Sequence, residues 1–321
     1  MINLGQVRMK IMKTTPRYHD LGLKLMLPVA LFFLCAIARA QSPAASMQAA
    51  QPAGAATKVA TVFGARIHYQ EAGSGPVVIL LHGLGGDMSN WATTIGPLSQ
   101  KYRVIVPDQI GFGRSDKPML NYRIATMVDF LDGFYKELKI DRATLVGNSL
   151  GGWISASFAL AHPEKVDRIV LVDSAGFSVP KDMDPRVVNG LNPSTRNDVR
   201  QILPMVFYNK QIFASEAAID MMFARRVTAG DSFTIQRIIE SIIRGDDVLD
   251  DKLAGIKQPT LIIWGREDLL TPLAMGERFK QGIPRSELVV FDKCGHVPQI
   301  EQAAQFNAAL LKFLGTDIAS K

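Results

Sequence analysis

"ATLVGNSLGGWISASFALAH", residues 143–162, decides the fold. Its first residues form a short apolar, β-branched run, and its last thirteen carry apolar residues at helical spacing. Between them, "GNSLGG" (147–152) leaves no room for a loop. A strand therefore runs straight into a helix with Ser149 at the corner, in the spacing Gly147-x-Ser149-x-Gly151. Such a turn pushes the serine hydroxyl out above the sheet, and side chains on the flanking positions would clash. The helix start places unpaired backbone N–H groups beside the hydroxyl, where negative charge is favoured. The five-residue pattern alone fits a helix-capping turn as well. The strand-to-helix context selects Ser149 as a candidate nucleophile.

The same alternation extends outward. "PVVILLHG" (76–83), "YRVIVPD" (102–108), "DRIVLVDS" (167–174), "PTLIIWG" (259–265) and "SELVVFD" (286–292) are continuous apolar runs of strands buried on both faces. Helical stretches alternate with them at 127–138, 150–162, 274–283 and 302–314. This predicts a doubly wound, mostly parallel α/β sheet. "KVATVFGARIHYQEAG" (58–73) alternates apolar and polar around a Gly-Ala turn and reads as an antiparallel hairpin on its edge. From Ala175 to Lys257 no buried strand appears. "NDVRQILPMVFY", "SEAAIDMMFARRVTA" and "SFTIQRIIESIIR" read as helices, so residues 175–257 are expected as a helical cap. The core then has two parts, 58–174 and 258–321.

Residues 1–40 read as a secretory signal peptide. Five basic residues precede the apolar run "LMLPVALFFLCAI" (25–37), and Ala38-x-Ala40 supplies the cleavage pattern. The run is short for a membrane span, which takes about 20 apolar residues. Residues 41–57, rich in Ala, Gln, Ser and Pro, read as a flexible linker. Export is the expectation, with no stable membrane span after cleavage at Ala40. Residues 1–40 hold six basic side chains and one acid, so they carry +5 of the chain's +6. What remains is nearly neutral, which argues against a nucleic-acid partner. Of the two cysteines, Cys35 leaves with the signal, and Cys294 alone forms no intramolecular disulfide.

A serine nucleophile needs a base, and the base an orienting acid. Of the five histidines, only His296 in "KCGHVPQIE" follows the last strand, from where it reaches back toward Ser149. His19 goes with the signal, His68 lies in the hairpin, His162 ends a helix, and His82 opens "HGLGG". For the acid, Asp268 in "WGREDLLTP" follows a strand and completes the chain order Ser149, Asp268, His296. Glu267, expected to face solvent, and Asp173, at the end of the preceding strand, compete with it. The oxyanion donors are expected at the backbone N–H of Leu150 and of Leu84, with Gly85 as the alternative. Trp91 and "PDQIGFGRSD" (107–116) are expected to brace these loops. The His, Cys and Asp residues lack zinc-ligand spacing, and neither glycine-rich stretch carries a phosphate-loop or dinucleotide pattern. No metal or cofactor is expected.

"HGLGGDMSNW", "PDQIGFGRSDKP", "VGNSLGG", "IIWGREDLLTP" and "CGHVPQIE" together resemble the α/β-hydrolase family, over essentially all of residues 58–317. The first two particularly resemble exported bacterial lipases and esterases. The same core is similar to the meta-cleavage-product hydrolases, which split carbon–carbon bonds and usually carry tryptophan after the catalytic histidine; here that residue is Val297. Relatives with an aspartate nucleophile are excluded by Ser149. The resemblance implies a serine hydrolase acting on a small-molecule or lipid ester, with Met205, Phe207, Met221, Met222 and Phe223 of the cap as acyl-pocket candidates. The alternatives are a carbon–carbon hydrolase, with Arg200 or Arg225 holding a substrate carboxylate, and a non-catalytic binding protein.

Overall fold

The computed structural model describes residues 56–179, 188 and 190–316. The expected signal peptide and all but the last two residues of the expected linker lie outside them. Ala56 and Thr57 already belong to a strand, so regular structure begins two residues before the expected boundary.

The strands are β1 (Ala56–Val62), β2 (Ala65–Ala72), β3 (Val77–Leu81), β4 (Arg103–Pro107), β5 (Ala143–Asn148), β6 (Val166–Val172), β7 (Thr260–Gly265) and β8 (Ser286–Phe291). The helices are α1 (Ala92–Ser99), α2 (Ile124–Glu137), α3 (Leu150–Ala161), α4 (Arg196–Val206), α5 (Lys210–Phe213), α6 (Glu216–Ala229), α7 (Ser232–Arg244), α8 (Leu273–Gly282), α9 (Pro298–Glu301) and α10 (Ala303–Leu314). The strands form one 8-stranded sheet in the order β1-β2-β4-β3-β5-β6-β7-β8. The hairpin joins antiparallel through β2 and β4, and every pairing from β4 to β8 is parallel.

The apolar runs are continuous because both faces of the sheet are covered. Ile79, Leu81, Ile105, Leu145, Ile169, Leu171 and Ile262 point to one side, where Met127 and Leu131 of α2, Trp153 of α3 and Phe279 of α8 cover them. Their neighbours Val78, Leu80, Val104, Val106, Val146, Val170 and Ile263 point to the other, under Ile95 and Leu98 of α1 and Phe306 and Leu310 of α10. Each such side chain contributes about 1.5–3 kcal/mol when fully buried. The crossover places β3 beside β5, so the loop after β3 and the turn after β5 emerge side by side, where α/β sheets bind ligands.

Helix α1 is absent from the sequence reading because Gly96 and Pro97 argue against a helix there. Pro97 has no N–H for the carbonyl of Thr93, four residues back. Asn307 Nδ2 of α10 donates to that oxygen at 2.9 Å instead. A tertiary contact therefore replaces the missing helical bond.

Between β6 and β7 the described residues hold four α-helices, a short 3-10 turn at Leu253–Gly255 and no strand. Three match the expected segments; α5 is a single turn begun by the Asn209 side chain. In α7, Ile235, Ile238 and Ile239 lie at i, i+3 and i+4 and are buried in the main core. Val199, Leu203, Phe207 and Ile219 form a separate apolar cluster with Val297. No helix among the described residues is long and apolar enough to cross a membrane.

Candidate active site

Ser149 joins β5 to α3 with φ 55° and ψ −116°, a strained backbone for a residue with a side chain. The surroundings hold it there. Its N–H donates to Val172 O at 2.9 Å, and its carbonyl accepts from Gly152, Trp153 and Ala175 N–H. A methyl group on Gly147 would run into the backbone of Gly151, and one on Gly151 into Leu81 O. Both glycines are thus required by close backbone approach. The Ser149 side chain makes no hydrogen bond among the described residues, and the residue is half-buried.

The loops after β7 and β8 meet beside this turn. His296 Nδ1 lies 2.7 Å from Asp268 Oδ2. Asp268 also accepts from Leu270 N–H at 2.8 Å, Thr271 N–H at 3.0 Å and Thr271 Oγ1 at 2.5 Å. Burial alone would push this carboxyl up, but the His296 ring and the Thr271 donors outweigh it and hold Asp268 below the usual carboxylate range. It is therefore an anion at neutral pH, and its partner nitrogen Nδ1 carries the proton. Nε2 remains as the basic ring nitrogen. The histidine backbone is pinned at both ends: its N–H donates to Val206 O at 2.7 Å, and its carbonyl accepts from Asn148 Nδ2 at 3.0 Å.

"HGLGGD" runs beside Ser149, with Gly83 packed against the serine Cβ. His82 is buried, with Nδ1 2.8 Å from Gly83 O, while Nε2 accepts from Gln109 N–H at 3.1 Å. That pattern fixes a neutral ring protonated at Nδ1, and burial pushes its pKa down. Asp108 accepts from Met88 and Arg114 N–H, both at 2.7 Å. The "PDQIGFGRSD" segment thus braces the loop as expected. The N–H groups of Leu84 and Leu150 have no acceptor among the described residues. They are the donors expected for an oxyanion, left open at the two loops that meet at Ser149.

Other expectations need revision. Phe207 is buried and stacked on Phe213, with ring centroids 4.5 Å apart. It belongs to the packing of the helical segment and not to an open pocket wall. Met222 and Phe223 pack against the same cluster, and Met205 and Met221 are half-buried. Glu267 does not simply face solvent, because its Oε2 accepts from Cys294 N–H at 3.0 Å. Arg200 is paired with Glu216 at the surface. Arg225 reaches Asp87 at 2.6 Å and Asn90 at 3.2 Å. Asp173 is fully buried beside Asp268. Asp173, Asp268 and His296 each bring one atom within 4.8 Å of the others, the one such metal-like group among the described residues. The Asp268–His296 hydrogen bond already engages two of those ligands.

Sequence reasoning missed Asn148, Thr271, Gln109 and Glu301. Glu301 accepts from Gly295, Tyr208 and Asn209 N–H, at 2.8, 2.9 and 3.2 Å. It ties the histidine loop to the end of α4. Asn148 and Thr271 lie inside the quoted motifs, but their contacts with Val172 and His296 cross to other segments and are invisible along the chain.

A serine at a strained strand-to-helix turn, a buried histidine–carboxylate pair and an 8-stranded, mostly parallel sheet describe the α/β-hydrolase class. This chain belongs to the alpha/beta hydrolase fold family, whose family model matches residues 76–303. It is 34% identical to the 2-hydroxy-6-oxononadienedioate/2-hydroxy-6-oxononatrienedioate hydrolase of Paraburkholderia phymatum, over 78% of this chain and 91% of that one. A solved meta-cleavage product hydrolase from Pseudomonas fluorescens is 34% identical, with a TM-score of 0.73, over 80% of this chain and 97% of that one. A solved bacterial membrane phospholipase A is 29% identical, with a TM-score of 0.73, over 84% of this chain and 90% of that one.

Proposed function

We propose that this chain is a serine hydrolase attacking a carbonyl carbon, with the carbon–carbon bond of a hydroxy-oxo-dienoate as its first candidate target. The carrying observation is the convergence of Ser149, the His296–Asp268 pair and the open N–H groups of Leu84 and Leu150. Similarity to carbon–carbon hydrolases over most of the chain supports the bond assignment. In this reading His296 Nε2 takes the Ser149 proton as Oγ bonds to the ketone carbon. The oxyanion rests on Leu84 and Leu150 N–H. Ketonisation of the dienol beforehand moves its hydroxyl proton to the carbon beside the ketone, so that collapse breaks the carbon–carbon bond and its electron pair leaves as the enolate of the conjugated keto acid. His296 returns the proton to that fragment. Water, deprotonated by His296, then releases the acyl group from Ser149. Asp268 fixes the histidine tautomer throughout.

Carboxylic ester hydrolysis is the second reading, and two observations favour it. Both arginines offered for a dienoate carboxylate already hold acidic partners. Val297 stands beside the histidine, where the meta-cleavage-product hydrolases usually carry tryptophan. The chemistry is the same except that an alkoxide leaves. We further propose that residues 1–40 direct export and that the helices between β6 and β7 form the substrate-side cap.

The deciding experiment assays one preparation on a 2-hydroxy-6-oxo-dienoate and on p-nitrophenyl esters of increasing chain length, with Ser149→Ala beside it. Dienoate turnover dependent on Ser149 supports the first reading. Ester turnover alone supports the second. No Ser149-dependent turnover of either overturns both.

A further inference from the structure

Asp173 directly follows β6 and takes no part in the reaction proposed above. It is 0% exposed and sits at φ 42°. Its Oδ1 accepts from Gly265 N–H at 2.9 Å, and its backbone carbonyl accepts from Thr271 Oγ1 at 3.2 Å. Its Oδ2 is buried with no hydrogen-bond partner. Such an atom costs stability unless something satisfies it.

The neighbouring carboxylate supplies the explanation. An oxygen of Asp173, an oxygen of Asp268 and a ring nitrogen of His296 lie within 4.8 Å of one another. Two buried carboxyls this close do not both ionise. Their donors decide which one keeps the charge. Asp268 receives two backbone N–H groups, the Thr271 hydroxyl and the His296 ring, whereas Asp173 receives one N–H. The charge therefore stays on Asp268 and the proton on Asp173. Burial and the nearby Asp268 charge push Asp173 in the same direction, well above the usual carboxylate range. The other ionisable groups bearing on it are His296, Glu301 and the buried Cys294. Once protonated, Oδ2 becomes a donor facing Asp268, and the orphan atom has its partner.

We infer that Asp173 is a second acid of this site: a neutral hydrogen-bond donor to Asp268 in the intact protein, and the carboxylate that serves His296 when Asp268 is removed. In the intact protein it is a positioning residue, since it acts through Asp268. In Asp268→Asn it loses its proton to solvent, and the resulting carboxylate accepts Nδ1–H of His296. The inference rests on the reading of Ser149, His296 and Asp268 given above.

The test compares full-length wild type, Asp173→Asn, Asp268→Asn and the double variant. The readouts are the rate of Ser149 labelling by a fluorophosphonate probe and hydrolysis of p-nitrophenyl acetate, with thermal melts to verify folding. Asp173→Asn keeps an isosteric neutral donor beside Asp268 and serves as the single-variant reference for the cycle. Asp268→Asn is expected to keep a residual rate that climbs with pH as Asp173 ionises. That rate should exceed the double variant's by about tenfold or more. Equal rates in Asp268→Asn and the double variant overturn the inference. If Asp173→Asn does not fold, Asp268→Asn alone decides: a residual rate that stays flat with pH overturns it, and a rising one upholds it. Wild type that fails to label would instead overturn the reading of Ser149 as nucleophile.

Discussion

Asn148 Nδ2 donates to the backbone carbonyl of His296 at 3.0 Å and to that of Val172 at 3.1 Å. The residue before Ser149 thus holds the loop that carries His296, and it ties both to the end of β6. Asn148 is 2% exposed, so neither carbonyl finds water if the amide is lost. Asn148→Leu should leave the His296 carbonyl without a donor, at about 1–3 kcal/mol, while Val172 O keeps the Ser149 N–H. The histidine loop would relax to recover solvent. A shift of about 1 Å in a reacting group costs about 10²-fold in rate. The expected outcome is a fall in kcat of that order with KM changed much less, measured by steady-state kinetics on whichever substrate the wild type turns over. A pure rise in KM would show that Asn148 contacts substrate instead.

Asp268 and Asp173 bias stability with pH in opposite directions. Asp268 is held below its unfolded value, so its contribution is present above about pH 4 and is lost as pH falls through its folded pKa. Asp173 is raised, so its contribution is complete below about pH 4 and is lost as pH rises toward its folded pKa. Asp173→Asn removes only the second slope. Urea melts from about pH 4.5 to about pH 7 should show the wild type losing ground to Asp173→Asn by up to about 1.4 kcal/mol per pH unit. Parallel curves would mean that Asp173 ionises as freely in the folded protein as in the unfolded chain.

The sequence made the sheet legible because five of its six apolar runs are largely buried on both faces, with only the edge strand β8 half-buried. The candidate trio could be picked out because Ser149 directly follows β5 and Asp268 and His296 lie in the loops after β7 and β8. Contacts between distant segments were not. Nothing near Thr271 announces that its hydroxyl will bridge Asp268 and His296, at 2.5 and 3.2 Å. Nothing near Glu301 announces three backbone N–H groups from two loops. Phe207 reads as a pocket aromatic until its partner Phe213 comes into view. Helix α1 contradicts its own local propensities, since its support lies more than two hundred residues away at Asn307.

Arg225 of α6 tests the choice between the two proposed substrates. Its partner Asp87 is the N-cap of the turn at 88–91 that follows the oxyanion loop, so this ion pair ties the helical segment to that loop. A dienoate carboxylate would have to compete with Asp87 for the guanidinium, whereas a neutral ester would not. Arg225→Met should therefore raise KM for the dienoate by about tenfold or more, the scale of a lost charged hydrogen bond. KM for a p-nitrophenyl ester should stay within about threefold, as expected when a half-exposed ion pair is removed. Equal effects on both substrates would assign Arg225 to holding the loop alone.

The contact between Asn307 and Thr93 gives a stability prediction free of any assumption about chemistry. Asn307 Nδ2 occupies the place that the N–H of residue 97 would take in an unbroken helix, and Pro97 cannot supply it. Asn307→Leu keeps a similar volume but orphans the Thr93 carbonyl, at a cost of about 1–3 kcal/mol. Pro97→Ala restores a donor within α1 and makes Asn307 redundant. The two substitutions should therefore couple: Asn307→Leu destabilises the native background but has a much smaller effect when residue 97 is alanine. A double-mutant cycle of urea melts should return an interaction energy of about 0.5–3 kcal/mol. Strict additivity would show that Thr93 O finds another partner, and that α1 stands without help from α10.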